Sequence, residues 1–377
     1  MIQSAKNVSL IALNDRLRNG IALGLLPQLL FVFWLSGRPD LVETYYSNGV
    51  YPVVSRFFRI LFGWIPFSVG EILYTLLIAL ALGYLFGNRT RIKNRPLSFL
   101  RNLVLVFSVF YFTFHLGWAL NYHRMPLADR LGIRDSVTPD EVIDLTQRLI
   151  TKTNRLQFEI TGDSAQRVDM PFDRDAILDQ TVAGYGRVQG ELPFLAYPNP
   201  SLKKATLGAL ASYMGIGGYF NPFTNEAQVN GRTPLFRLPV VTAHEIGHQV
   251  GYAKENETNF IGYLVTMKNE DVHFQYSASA YALSHCLSAV RRTDAQKFEK
   301  LFAKVNVGVQ ENYKELYEFN LKYANPFEPV FKSVFSTFLK ANRQKDGIKS
   351  YSKIVELMVG YHEKFPIFIL DENDSYK

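Results

Sequence analysis

Three long apolar stretches in the first third of the chain limit its possible folds more than any other feature of the sequence. They cover residues 19–37, 68–87 and 102–122, and arginine, tryptophan and tyrosine flank them. A helix needs about 20 mostly apolar residues to cross the hydrocarbon layer of a bilayer, and each stretch is close to that length. We therefore predict a bundle of three transmembrane helices within an anchor domain of residues 1–122, rather than buried helices of a soluble core.

Basic side chains are concentrated at one end of this predicted bundle. Lys6, Arg16 and Arg18 precede the first span, and a dense basic run over residues 89–101 connects the second span to the third. Cytoplasmic loops carry an excess of lysine and arginine, so this pattern places the N-terminus in the cytoplasm and everything after residue 122 outside it. The loop between the first two spans also contains arginines, but they are fewer and more dispersed.

Charge and cysteine content argue against two other classes of protein. The net charge of +7 is explained by the basic loop between two spans, so no nucleic-acid partner is predicted. The single cysteine, Cys286, excludes an intrachain disulfide framework and any metal or redox motif that needs paired cysteines.

From residue 123 onward the sequence changes to that of a helix-rich domain with a more polar surface. Residues 138–141, Thr-Pro-Asp-Glu, are typical of a helix start, with a capping hydroxyl, a proline in the first turn and acids near the positive helix end. Another helix is predicted over residues 172–187. Residues 205–235 are rich in glycine and turn residues and predict one or two short strands. The fold prediction is therefore mainly α, with a second, α+β domain of residues 123–377 that contains a short β element.

The segment Leu238–Gly251 has the start and stop signals of a single helix. The proline at its second position suits a first turn, and the glycine at its end suits the left-handed residue that follows a last turn. His244 and His248 are four residues apart, so their imidazoles emerge on one helix face, as two ligands of one zinc ion must. Glu245, beside the first histidine, can reach an attacking water without binding the metal, which is the position of a general base.

A catalytic zinc takes three protein ligands and keeps one position open, so a third ligand is expected after His248. Two candidates follow closely, Glu255 and Glu257. On a helix through residues 255–265, Glu257 lies in the middle of the apolar stripe, and its expected burial favours it. Glu255 lies four residues before Asn259 on another face, where an amide can orient a metal ligand. Both glutamates stay candidates on these grounds.

The pattern resembles the gluzincin metallopeptidases, in which the ligand glutamate is followed four residues later by an Asp or Asn that orients a ligand histidine. Residues 260–265 are similar to the segment that comes next in thermolysin-like enzymes, and residues 255–259 are similar to the E-x-x-A-D element of membrane peptidases related to the CAAX-prenyl protease. Both resemblances imply Glu255 as the zinc ligand, with Asn259 in the shell behind it. The spacing departs from the thermolysin-like pattern, since only six residues separate the second histidine from Glu255. Gly251 stands where metzincins have their turn glycine.

A more extensive resemblance covers nearly the whole chain. Its elements are residues 118–122, residues 218–227, the histidine motif, and residues 338–344 with residues 350–351. They are similar to an uncharacterised family of integral membrane proteins of unknown function that is common in Bacteroidetes. The resemblance implies a zincin-like second domain and a zinc-dependent peptidase in the bacterial inner membrane, which acts on a peptide or protein substrate not yet known.

Further residues are assigned supporting roles. The segment 218–230 is expected to supply an edge strand on which an extended peptide pairs. An oxyanion stabiliser is expected downstream, where we select Tyr276 among four candidates, His273, Tyr276, Tyr281 and His285. Two alternative functions stay open: another zinc hydrolase of the cell envelope, or a non-enzymatic membrane protein with a vestigial metal site. An intact Glu245 disfavours the second, because a structural site has no use for a general base.

Overall fold

The computed structural model describes residues 14–342, residue 344 and residues 353–365. It is mainly α-helical with one small β-sheet, which confirms the predicted fold class. The helices before the sheet are α1 (Asp15–Leu23), α2 (Leu25–Leu35), α3 (Pro39–Leu41), α4 (Tyr51–Phe62), α5 (Val69–Gly87), α6 (Arg89–Asn94), α7 (Pro96–Gly117), α8 (Leu127–Leu131), α9 (Pro139–Thr161) and α10 (Arg174–Val188). The sheet region contains β1 (Leu202–Lys204), α11 (Gly208–Tyr213), β2 (Gly218–Asn221) and β3 (Glu226–Val229).

The remaining helices follow the sheet. They are α12 (Leu238–Gln249), α13 (Glu255–Met267), α14 (Val272–Thr293), α15 (Ala295–Phe302), α16 (Val307–Lys322), α17 (Glu328–Ala341) and α18 (Ile354–Lys364). A π-helix covers Val42–Val50, and short 3-10 helices cover Ala119–His123, Pro193–Leu195 and Leu235–Arg237.

Three helical segments of the described chain are long and apolar enough to cross a membrane, as predicted. They are Asp15–Leu35, which joins α1 and α2, Val69–Gly87 and Pro96–Gly117. Their apolar side chains are largely exposed, which suits surfaces that contact lipid. The third predicted span, residues 102–122, was placed about five residues too late, because α7 ends at Gly117 and the aromatic residues after it are buried in protein.

The two ends of the bundle differ in character. At one end, Arg101 of α7 forms an ion pair of 2.9 Å with Asp15, close to the basic helix α6. At the other end, the hydroxyl of Tyr46 donates to the carbonyl of Leu116 over 2.9 Å. The N-terminus of α1 and the basic loop therefore lie together, at the end opposite to the segment of residues 39–62.

The membrane helices and the second half of the chain share a hydrophobic core. Its members come from the π-helix, α4, the residues after α7 and the loop after α12: Val42, Tyr46, Tyr51, Trp118, Ala119, Leu120, Tyr122 and Ala253. Arg124 reinforces this contact, since its guanidinium donates to both carboxylate oxygens of Glu43 (2.9 and 2.7 Å) and to the carbonyl of Gly251 (2.7 Å). The anchor predicted as residues 1–122 therefore packs directly on residues 249–253, beside the histidine motif.

The largest core lies among the long helices α9, α10, α12, α13 and α14. Thr138 caps α9, and the Glu141 side chain bonds back to the Thr138 N–H, so the predicted helix start is confirmed as a capping box. The helix predicted over residues 172–187 is α10. These helices form the scaffold against which α12, with the histidine motif, is held.

The small sheet packs on α12 and has the strand order β1-β3-β2. β1 is parallel to β3, whereas β2 is antiparallel to β3 with Tyr219 opposite Gln228. β2 is therefore an edge strand, within the predicted segment 218–230.

Candidate metal centre

Helix α12 presents the histidine motif and has the boundaries expected from its sequence. A proline stands in its first turn. After its last turn, Gly251 has a φ of +98°, a conformation that L-residues with a side chain rarely adopt. The chain then reverses, with the Tyr252 N–H donating to the Gly247 carbonyl, so that α13 returns along α12.

Two glycines allow α12 and α13 to approach each other closely. A Cβ on Gly247 would lie 2.7 Å from the Thr258 methyl group, and one on Gly262 would lie 3.0 Å from the Val240 carbonyl oxygen. Larger residues at either position would separate the helices. This close packing brings Glu255, the first residue of α13, to the face of α12 that carries both histidines.

The structure brings His244, His248 and Glu255 to a common point. The Oε2 atom of Glu255 lies 3.4 Å from Nε2 of His244 and 3.6 Å from Nε2 of His248. Two ligand atoms bound about 2.1 Å from a tetrahedral zinc are about 3.4 Å apart. The spacing of these three atoms therefore fits a zinc ion.

Glu245 is the second carboxylate at this point. Its oxygen and the two imidazole nitrogens lie within 4.8 Å of one another. Its Oε2 atom is buried and has no hydrogen-bond partner among the described residues. Buried carboxylate oxygens without a partner are uncommon in a folded protein, and Oε2 of Glu257 is another one among the described residues.

Hydrogen bonds hold the ring and the backbone of His248, so that its Nε2 atom faces the centre. Nδ1 of His248 lies 2.8 Å from the carbonyl of Tyr252, and the indole N–H of Trp118 donates to the His248 carbonyl over 3.0 Å. Asn259 lies beside His244 and raises its pKa, against the larger effect of burial. This position is compatible with the predicted role of Asn259 behind His244.

The pKa values of the two carboxylates, Glu245 and Glu255, shift in opposite directions. Burial raises the pKa of Glu245 to about 8, although the nearby His248 opposes the shift. Burial alone would also raise the pKa of Glu255, but the nearby imidazoles of His248 and His244 hold it well below its usual range. Burial lowers the pKa of His244, which favours the neutral imidazole that a metal requires. Glu255 is thus an anion suited to bind a cation, and Glu245 is suited to accept a proton.

The other glutamate considered, Glu257, faces away from the histidines. It is 3% exposed, so the burial argument from the apolar stripe was sound. However, its Oε1 atom accepts hydrogen bonds from the Leu127 N–H (3.0 Å) and from Lys254 (3.3 Å). Its burial serves to hold the start of α8.

Tyr276 is not brought to the centre. It is fully buried in the main core, and its hydroxyl donates to Asn312 over 2.7 Å. Among the four downstream candidates, Tyr281 is the one whose pKa is raised by Glu255 as well as by burial, which places its phenol in the electrostatic range of the centre. Tyr122, at the end of the membrane bundle, has the same property.

Two residues contact the histidine motif in a way that the sequence did not predict. Trp118 contacts His248 edge to face, with ring centroids 5.8 Å apart. Gly218, the first residue of β2, lies against Glu245, since a Cβ there would be 2.6 Å from the glutamate Cγ. The signals were membership of the quoted similar segments and, for Gly218, its place in the predicted edge strand 218–230; neither signal identifies contacts.

The fold and the centre together define a mainly α-helical protein with three helices able to cross a membrane and a largely buried His-Glu-His cluster outside them. Within this class, the chain belongs to the family described as "Protein of unknown function (DUF3810)", which matches residues 46–359. The match includes the complete cluster and confirms the expectation of an uncharacterised family. No curated protein and no solved structure matches the chain.

Proposed function

We propose that this protein is a zinc-dependent peptidase anchored in a membrane. One observation carries the proposal: two imidazole nitrogens and a buried carboxylate oxygen converge at 3.4 and 3.6 Å. A second buried carboxylate with an unpartnered oxygen among the described residues stands beside them. This combination supplies three ligands and a separate base, as gluzincin-type chemistry requires.

His244, His248 and Glu255 would hold the metal, which supplies Lewis acidity that polarises a carbonyl and lowers the pKa of water. Glu245 accepts a proton from the water that attacks the carbonyl carbon of the scissile bond. The C–N bond then breaks, and Glu245 passes this proton to the leaving nitrogen. One water is consumed, and one carboxylic acid and one amine are formed.

The edge strand β2 is suited to hold an extended peptide beside these groups. The Ala227 N–H of β3 donates to the carbonyl of Ser201, the residue before β1, and the Gly217 carbonyl accepts from the Asn230 N–H. Along an antiparallel pair, residues that bond to the partner strand alternate with residues whose backbone groups point the other way. In this register, the N–H and C=O groups of Gly218 and Phe220 point away from β3. No backbone group of the described residues bonds to them, so a peptide can pair there and extend past Glu245.

The charge distribution supports an orientation for the enzyme. The basic helix α6 and Arg101 lie at the end of the bundle opposite to the histidines. Because basic residues stay in the cytoplasm, we place the protein in the bacterial inner membrane with its catalytic centre on the outer side. Its partners would be the lipid bilayer and a peptide or protein substrate.

Metal analysis and activity of three variants test the proposal. Wild-type protein purified from membranes is expected to retain about one zinc per chain. E245Q should keep the zinc and lose peptide hydrolysis, whereas H248A should lose both. E257Q is the matched control, a second buried glutamate on the same helix as Glu255, and should keep both. A wild-type protein without zinc, or an E245Q variant as active as wild type, would overturn the proposal.

A further inference from the structure

The turn between β2 and β3 reaches between two of the membrane spans. The ring of Phe223 lies 5.1 Å from that of Phe110 in α7 and 6.2 Å from that of Tyr74 in α5. Phe110 precedes the end of α7 at Gly117 by seven residues, so it lies about 10 Å down the helix. The tip of this hairpin therefore sits at the depth of the outer part of the bilayer.

The hairpin is fixed to the spans by close contacts. The carboxylate of Glu226 accepts from the N–H groups of Val69 (3.1 Å) and Gly70 (2.7 Å), at the first turn of α5. A Cβ on Gly70 would lie 2.2 Å from the amide nitrogen of Asn221, so the glycine is needed for this approach. Glu226 is fully buried and in effect caps the second membrane span.

The opposite end of the same strand lies at the catalytic centre. Gly218 contacts Glu245, and Trp118, the residue directly after the third span, packs on Phe220 with ring centroids 5.1 Å apart. Phe223 comes five positions after Gly218, which corresponds to at most about 16 Å along the chain, since β2 ends at Asn221. β2 thus leads from the depth of the bilayer to the catalytic carboxylate.

We propose that the substrates are membrane-anchored polypeptides, cut within a few residues of the point where they leave the bilayer. This inference rests on the proposed peptidase function and adds the class of substrate. A chain that pairs with the free edge of β2 enters beside Phe223, next to lipid, and reaches Glu245 after about five residues in extended form. A bilayer anchor also raises the local concentration of the substrate at the centre without any further contact.

Mapping of new chain ends in membranes tests the inference. Membranes of a bacterial host that expresses wild type or E245Q are compared by mass spectrometry of protein termini. The expected result is a set of wild-type-dependent ends that fall within about ten residues of a membrane anchor. Wild-type-dependent ends scattered through soluble domains would overturn the inference and leave the peptidase intact. Identical ends in the two membranes would instead overturn the peptidase itself.

A second experiment varies the distance directly. A cleavage site found in the first experiment is moved away from its anchor by insertion of 5, 10 or 20 flexible residues, and cleavage is measured in proteoliposomes with the full-length enzyme. The same peptide without an anchor is measured alongside. Because the path along β2 has a fixed length, the substrates with the longer insertions and the peptide without an anchor should be cut at least about tenfold more slowly than the original substrate. Equal rates for all forms would refute a membrane-derived path.

Discussion

Substitution of Gly218 by alanine tests the proposed contact between the edge strand β2 and Glu245, the residue that we propose as the general base. The new Cβ would lie 2.6 Å from Cγ and 2.7 Å from Oε1 of Glu245, and 2.8 Å from the backbone oxygen of Gln228. The backbone oxygen belongs to the paired strand β3 and has little freedom, so the edge strand must shift slightly away from it and the glutamate side chain must move as well. An ordinary contact begins near 3.4 Å, so the required displacement is about 0.8 Å.

A base displaced by nearly 1 Å is expected to slow the reaction about 100-fold, while the metal ligands stay in place. The assay is hydrolysis of a peptide that the wild type cleaves, together with zinc content and the absorption spectrum of the cobalt-substituted protein. G218A should lose activity with an unchanged spectrum and zinc content.

The adjacent glycine supplies a matched control. A Cβ on Gly217 would meet only the methyl groups of Val241, at 3.4 and 3.6 Å, which are ordinary contacts. G217A should therefore retain activity within about twofold. If G218A and G217A are equally active, or if G218A loses its zinc, the proposed relation between Gly218 and the base is wrong.

Three further predictions concern the ligands, the contact with the membrane bundle and the response to acid. E255Q should weaken zinc binding by at least about tenfold, and E257Q should leave it unchanged, as measured by competition with a chelator of known affinity. R124M leaves a buried carboxylate with one fewer partner and should lower the free energy of unfolding by about 3 kcal/mol in denaturant titrations in micelles; a loss below about 1 kcal/mol would contradict this. His362 hydrogen-bonds to Tyr263 over 2.7 Å, and burial lowers its pKa to about 4. In the unfolded chain the histidine pKa is about 6.5, so on acidification the unfolded state binds the proton first. The free energy of unfolding should therefore fall by up to about 1.4 kcal/mol per pH unit as the pH drops from about 6.5 to about 4. H362Q should flatten this dependence, and an unchanged slope would refute the assignment.

Local signals in the sequence predicted the elements that local physics determines. The proline and glycine around the histidine motif gave the correct ends of α12, and Thr138 with Glu141 gave the correct start of α9. The three apolar stretches were found because a span needs length and hydropathy alone. The third span was predicted to end too late because Trp118, Leu120 and Tyr122 continue the run of large apolar side chains, but they form a separate short helix that packs on protein.

Contacts between distant segments could not be predicted from one sequence. Trp118 and His248 are 130 residues apart, and no periodicity relates them. Burial correctly marked Glu257 as unusual, but burial does not identify the partner, which is the Leu127 N–H. Tyr276 was selected because it is a tyrosine downstream of the motif. Residue type alone does not distinguish a tyrosine whose hydroxyl donates to Asn312 in the core from one that faces a substrate. Resemblance, rather than geometry, favoured Glu255, and the structure places that residue between the two histidines.

The carboxylate of Glu226 on the first turn of α5 links the catalytic centre to the mechanics of the bilayer. A helix adjusts to hydrophobic thickness mainly by tilting, and a tilt of α5 displaces the N–H groups that Glu226 holds. β3 carries that carboxylate and pairs with β2, whose first residue touches the general base. In the proposed enzyme, a tilt of α5 would therefore act on the position of Glu245, and we expect the acyl-chain length of the surrounding lipid to change the rate of hydrolysis.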